Sequence, residues 1–222
     1  EAYLDKKIQA GIIGLKCGIA YNRSLSFSKV SKSAAEEAFI QIFDRKNCSD
    51  TNRRILQDHI LHHFLALAER REMVIQFHTG LLEGNQHILE NSNPLRLNNL
   101  FIEYPNVKFD LFHMGYPFHH VIASLAKMFP NVYIDMAWAH IVSPPAAVEM
   151  LSEWIETIPE NKIMGFGGDY CFVDGVYGHQ YLARKNISKA LAQKIEDGLM
   201  DLPRAKRIAK AYLYDNPKAL FS

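Results

Sequence analysis

The sequence predicts an α/β protein built on a parallel sheet. Specifically, it predicts a (β/α)8 TIM barrel of which strands 4–8 and their helices are present, a partial barrel forming a single domain over residues 1–222. Three observations carry this reading. First, five short segments rich in Val, Ile, Phe and Met read as buried strands: Ile12 to Ile19, Met73 to Phe77, Val107 to Phe112, Val132 to Met136 and Ile163 to Phe166. Second, a helix-like stretch follows each one, and near-continuous apolar strands alternating with helices mean a parallel sheet covered by helices. Third, an open doubly wound sheet usually carries a Gly-rich nucleotide turn after its first strand. The glycine cluster here, Gly165-Phe-Gly-Gly168, instead follows the last strand and lacks the G-x-G-x-x-G form.

The elements follow in order. Residues 1–10 read as a helix that stops at Gly11. Glu1 is not Met, so further sequence is expected upstream, and a barrel of eight strands in ~250 residues would place three strands there. After the first strand, Ser33 with Glu36 forms a capping box for a helix start. Between Asp50 and Arg71 the residues Leu56, Ile60, Phe64 and Leu67 fall three or four apart, the mark of an amphipathic helix that turns this stripe to a core. Pro94 after Asn93 opens a helix that Pro105 closes, Pro130 closes the next, Pro144 after Ser143 opens another, and Pro203 sits in a first turn.

Composition narrows the function. Hydrophobic residues make up 48%, ample for a core, while 25 Lys and Arg nearly cancel 24 Asp and Glu. No basic stripe or acidic tail marks a nucleic-acid or membrane-surface partner, so a small-molecule substrate is expected. Cys17, Cys48 and Cys171 lie far apart with no Cys-x-x-Cys pair, which speaks against a disulfide framework or zinc knuckle and for a reducing, cytoplasmic setting. No apolar run approaches the ~20 residues of a membrane helix.

In barrel enzymes catalytic groups project from the C-terminal ends of strands, so polar residues just after an apolar strand are the informative ones. His78 ends Val-Ile-Gln-Phe-His, His113 ends Phe-Asp-Leu-Phe-His, Asp135 sits in Val-Tyr-Ile-Asp, and Asp169 follows Gly-Phe-Gly-Gly. Two imidazoles and a carboxylate converging on one rim suit a divalent ion, zinc by donor type, and a water it activates. Strand alternation leaves the facing of Asp135 open.

Together, His78-Thr-Gly, His113-Met-Gly-Tyr-Pro, Gly167-Gly-Asp169-Tyr and the terminal Asp215-Asn-Pro-Lys-Ala-Leu-Phe resemble the amidohydrolase superfamily, most nearly its amidohydrolase-2 branch. That branch includes lactonases, uronate-isomerase-like enzymes and carboxymuconate-semialdehyde-type decarboxylases. The resemblance implies a metal-dependent hydrolase acting on an amide, ester or lactone bond of a small carboxylated substrate. A decarboxylase or isomerase is the enzymatic alternative. It also implies one divalent metal ion: His78 as a fifth-strand ligand, Asp169 as the eighth-strand carboxylate that touches the metal and takes a proton, and His113 as the sixth-strand histidine that polarises substrate or moves a proton. The family's first-strand His-x-His pair does not occur in the 222 residues, so this stretch by itself is expected to bind zinc weakly. The competing class is a non-catalytic partial barrel, whose open sheet edges invite pairing with another copy as a homo-oligomer.

Other signals are weaker. Lys16, late in the first strand, is carboxylated between two metals in some members of the resembled family, but substrate binding by Lys16 or Arg23 is favoured, since a cation at the rim suits a carboxylate. Tyr116, Trp138, His140 and Tyr170 fall in rim loops, where Tyr116 and Trp138 are expected to wall the substrate. His59 and His63 have a chelating spacing, but with His62 they belong to an outer helix away from the rim. His119 and His120 read as helix-face residues, and His179 as part of the helix packing on the last strand.

Overall fold

The computed structural model describes residues 1–44 and 48–222. Among them, β1 (Gly14–Cys17), β2 (Val74–Phe77), β3 (Lys108–Leu111), β4 (Val132–Asp135) and β5 (Ile163–Met164) form one sheet. Every neighbouring pair is parallel, and the spatial order is β1-β2-β3-β4-β5. Each strand lies inside its expected apolar run and is shorter, because ladder pairing ends where the chain departs for a helix or rim loop. The monotonic order selects the architecture. A doubly wound sheet reverses its order at a switch point, and this sheet never does, so it is a barrel segment.

Helices fill the connections. α1 (Ala2–Gln9) precedes β1, α2 (Lys32–Phe43) and α3 (Asp50–Arg70) join β1 to β2, and α4 (Asn98–Glu103) joins β2 to β3. α5 (His119–Met128) joins β3 to β4, then α6 (Ala139–Val142) and α7 (Pro144–Thr157) lead to β5. α8 (Val173–Glu196), α9 (Leu202–Lys210) and α10 (Asn216–Leu220) follow. Ser143, Asn93 and Asp201 accept backbone N–H groups at the helix starts that Pro144, Pro94 and Pro203 announced. At α2 the expectation was two residues late. Ser31, with extended backbone, is the cap and accepts from the Ala34 N–H at 3.2 Å, while Ser33 only shares a hydroxyl contact with it. No described helix is long and apolar enough to cross a membrane.

Strand alternation sorts the side chains. Leu15, Ile75, Phe77, Phe109, Leu111, Val132, Ile134 and Ile163 join Leu65, Ile122, Leu151 and Ile187 of the helices in the main core. The intervening residues turn to the opposite, concave face. Low in it, Val74 and Met164 pack with Leu220, Tyr133 and Phe221 as an apolar plug. Above the plug the concave face is polar: Lys16, Gln76 and Asp110 occupy one rung of the ladder, with Asp135 one strand further on.

Two expectations for the β1–β2 connection are corrected. Leu67 is buried as expected, but Ile60 and Phe64 are 43% and 40% exposed, so the core side of α3 is Leu67 with Asp58, His62, Leu65 and Ala68. Polar residues fill that side because each has a partner. The Nδ1 of His62 lies 2.8 Å from the Tyr104 hydroxyl, and Asp58 accepts from Arg23 at 2.6 Å and from the Ser28 N–H at 3.0 Å. The chain-tying role of Arg23 removes it from the rim. Its guanidinium also donates to the Ser24 and Ser26 carbonyls and lies over the Phe27 ring, fastening the segment after β1 to α3.

The Arg23–Asp58 pair is nearly sealed from solvent, at 12% and 3% side-chain exposure. Removing one partner of such a pair strands a buried charge, so Arg23→Met should destabilise the protein by about 3–5 kcal/mol in urea unfolding. Arg23→Met/Asp58→Leu should recover a large part of the loss. A single variant within 1 kcal/mol of wild type would show that the pair does not hold this connection.

Candidate active site

Three loops leave the C-terminal ends of β2, β3 and β5 and converge. His78 is the first residue beyond β2, and its backbone N–H bonds the Cys17 carbonyl at 3.0 Å. His113 stands two beyond β3 and opens a tight turn in which His113, Met114 and Gly115 all have positive φ. The β2 and β3 loops interlock. The Thr79 hydroxyl donates to the Phe112 carbonyl at 2.7 Å, and Gly80, at φ +75°, lies so close that a Cβ would come within 2.4 Å of the Tyr116 carbonyl oxygen. Asp169 and Trp138 also have positive φ. Non-glycine residues in that region cost of order 1–3 kcal/mol each and cluster at functional sites.

The two imidazoles show what the rim lacks. His78 Nε2 lies 3.1 Å from the Leu81 carbonyl and His113 Nδ1 lies 2.9 Å from the Ala137 carbonyl. A carbonyl only accepts, so each of these nitrogens carries the ring proton. The other two, His78 Nδ1 and His113 Nε2, therefore present bare lone pairs to each other at 3.1 Å. A proton between them is disfavoured. Burial lowers the pKa of His78, and burial followed by the neighbouring His78 lowers that of His113 to about 4. Imidazole nitrogens that disfavour a proton are donors of the type that divalent ions such as zinc take.

Asp169 completes the cluster, with Oδ2 3.8 Å from His113 Nε2. Its carboxylate is held by the Lys16 ammonium at 3.1 and 3.3 Å, so an ion pair reaches across the concave face from the first strand to the loop after the last. The same ammonium sits 4.0 Å from the centre of the Phe112 ring. His78, His113 and Asp169 have the right chemistry for a divalent ion. Among the described residues, though, no group of three or more His, Cys, Asp or Glu is placed to hold one.

Beneath the cluster lies a buried acid layer. Asp110 is fully buried, accepts from the Gln76 amide at 3.0 Å and leaves Oδ1 without a partner. Asp135 faces the concave side, which settles its phase, and accepts the Ala137 N–H at 2.6 Å. Gly167 packs against it so closely that a Cβ would lie 2.7 Å from Oδ1. Burial raises the Asp110 pKa to about 7, and burial followed by the neighbouring Asp110 raises that of Asp135.

Lys16, Tyr116, Trp138, His78, His113 and Asp169 line one cavity of about 420 Å³, together with Tyr21, Leu81, Leu82, Glu83, Val142 and Cys171. A larger depression of about 570 Å³ is lined by Glu149, Glu153, Lys189 and Gln193, gathers none of these groups and has no convergent chemistry. The Trp138 indole donates to the Asp169 carbonyl at 3.0 Å and stacks on Tyr170, so it positions the loop as well as walling the cavity. Tyr21, which the sequence did not mark, packs edge-on against His78 and its hydroxyl accepts the Glu83 N–H. His140 is not a rim residue. It is buried with Nε2 2.9 Å from the Gly165 carbonyl, and His179 packs beside it and Phe166. Arg23 does not line the cavity.

Comparisons with known proteins bear on the family and the fold. An amidohydrolase family model matches residues 44–222. The chain is 25% identical to protein fluG of Emericella nidulans across 98% of its own length and 26% of that protein's. It is 29% identical to uronate isomerase of Thermotoga neapolitana over 110 residues, 45% of this chain and 22% of that one. Among solved structures, a Lactobacillus casei protein provisionally assigned as a metal-dependent hydrolase superposes with a TM-score of 0.81 at 25% identity, covering 98% of this chain and 57% of that chain. Uronate isomerase of Thermotoga maritima shares the fold with a TM-score of 0.79 at 19% identity, covering 90% and 48%. The chain thus spans about a quarter of the fluG protein and little more than half of the Lactobacillus casei chain.

The raised Asp110 pKa has a stability consequence with a definite sign. The native state binds this proton more tightly than the unfolded chain, so its contribution is complete below about pH 4 and is lost as pH rises to about 7. The lowered histidine pKa values act in the opposite direction, so the test is a difference. Wild type minus Asp110→Asn stability, from urea unfolding at pH 4–8, should fall as pH rises. A flat difference would mean that Asp110 is solvated and ionised.

Proposed function

The chain belongs to the amidohydrolase family, and from that premise we propose that it forms part of a metal-dependent hydrolase cleaving an amide, ester or lactone bond in a small carboxylated substrate. The observation that carries this is the pair of bare imidazole nitrogens facing each other at 3.1 Å beside the Asp169 carboxylate. A divalent cation bound there would supply Lewis acidity, including the acidification of a water molecule. His78 Nδ1 and Asp169 are the proposed ligands, and imidazole nitrogen with carboxylate oxygen suits zinc.

The chain's own groups account for the remaining work. The Asp169 carboxylate, 37% exposed, opens on the cavity, where it can accept a proton from water and return it to the leaving group. His113 Nε2 has no hydrogen to donate in the tautomer that Ala137 imposes. It serves as a proton acceptor or a further ligand, and polarising a carbonyl would require the protonated ring that burial opposes. Tyr116 and Trp138 flank the substrate, and Lys16 offers the cation for its carboxylate.

A second reading, isomerisation of a uronate, is favoured by the match to uronate isomerase. It uses the same groups to move a proton between adjacent carbons. Incubating the metal-loaded intact protein with lactones, N-acyl amides and uronates separates the two, since hydrolysis releases a new acid and isomerisation does not.

In the intact protein, Asp169→Asn should lower kcat by roughly 10²–10⁴-fold, the usual worth of a general base. His78→Ala should lower the metal content measured by elemental analysis. Near-normal turnover of Asp169→Asn with its metal retained would defeat the hydrolytic mechanism.

A further inference from the structure

We propose that Lys16 is a displaceable counter-ion. Its ammonium pairs with the Asp169 carboxylate, and a divalent cation engaging that carboxylate releases it to anchor an anionic group of the substrate, so that anion binding follows metal loading. This rests on the proposed metal-dependent reading of the same site.

The geometry of the pair points this way. The ammonium lies 3.1 Å from one Asp169 oxygen and 3.3 Å from the other, so both oxygens are engaged by a cation already. A second cation on the same carboxylate competes with Lys16 for its oxygens and repels the ammonium, so its binding loosens the Lys16–Asp169 pair. The pair is built to yield, with side chains 33% and 37% exposed, in contrast to the sealed Arg23–Asp58 pair. Release does not send the ammonium out of the cavity, because its stem rises from β1 and the Phe112 ring holds it at 4.0 Å.

Charge supplies the ordering. Lys16 is the one cationic side chain among the described residues lining the cavity, where Asp169 and Glu83 supply the acids. While Lys16 is paired with Asp169, an incoming carboxylate meets a neutralised ammonium beside an anion and is repelled. With Asp169 engaged by a divalent ion, the ammonium is free and the local charge is positive. The chemical class recognised is a carboxylate or similarly compact anion.

The test uses the intact protein stripped of metal. Zinc is titrated calorimetrically into wild type, Lys16→Met and Lys16→Arg, and benzoate is then titrated into the stripped and zinc-loaded forms, with thermal melts confirming folding. Lys16→Met should bind zinc about two- to fivefold more tightly, the scale of a partly exposed ion pair, while Lys16→Arg should stay near wild type. Benzoate should bind wild type at least about tenfold more tightly after zinc loading, and Lys16→Met should lose most of that gain. Should Lys16→Met misfold, Lys16→Gln is held to the same outcomes.

If zinc binds wild type and is lost in His78→Ala, yet Lys16→Met binds it equally or more weakly, the counter-ion role is overturned and the metal reading stands. Equal benzoate affinity with and without zinc likewise overturns the ordering. If wild type takes up no divalent ion, both readings fall together.

Discussion

Two-residue alternation along parallel strands is the constraint from which the site follows. Helices claim one face of the sheet, so Ile75, Phe77, Phe109, Leu111 and Ile134 must point to them, and every polar residue of these strands is sent to the concave face. Lys16, Gln76, Asp110 and Asp135 meet there with Asp169 above them. One ammonium cannot neutralise three carboxylates. The cation goes to Asp169, the carboxylate nearest solvent, while burial raises the pKa of both Asp110 and Asp135 beneath it.

The rim adds backbone strain to this electrostatic order. Positive φ at His113, Met114, Trp138 and Asp169 turns the chain abruptly at the ends of β3, β4 and β5, and each turn brings a side chain over the concave face. Such conformations persist because neighbours over-determine them. Thr79 and Gly80 lock the β2 loop to the β3 loop, and the Trp138 indole holds the Asp169 carbonyl. Few of these contacts involve the reacting groups themselves, so the geometry is fixed from outside.

Much of this was legible in the sequence because burial and strand ends leave patterns. All five strands and their order followed from apolar runs alternating with helix signals, and His78, His113 and Asp169 stood out as polar residues at the close of apolar strands. The misreadings between β1 and β2 that concern Arg23 and α3 share one cause, a partner distant in sequence. Arg23 looks like a free rim cation until Asp58, on the helix before the next strand, is seen to need it. Ile60 and Phe64 fit an apolar stripe, yet α3 turns its Asp58 and His62 inward because Arg23 and Tyr104 satisfy them. Asp110 and Tyr21 went unmarked, although the two-residue step back from the rim places Asp110 on the same face as Gln76.

Tautomer choice joins the fold to the chemistry. The Leu81 and Ala137 carbonyls belong to loops folded over the ends of β2 and β4, and they take the ring protons of His78 and His113 from the far side. What remains toward the cavity is determined by backbone, and it is a pair of lone pairs. In solution such a pair would share a proton near pH 6.5, but burial, mutual proximity and the Lys16 charge all oppose it here. The native state therefore binds fewer protons at these rings than the unfolded chain does. For His113 this contribution to stability is present above pH 6.5 and is lost as pH falls toward 4, and the lowered pKa of His78 acts in the same direction. Imidazole nitrogens whose protonation burial disfavours can meet a cation without first shedding a proton, which lessens the competition that limits most imidazole sites in mildly acidic solution.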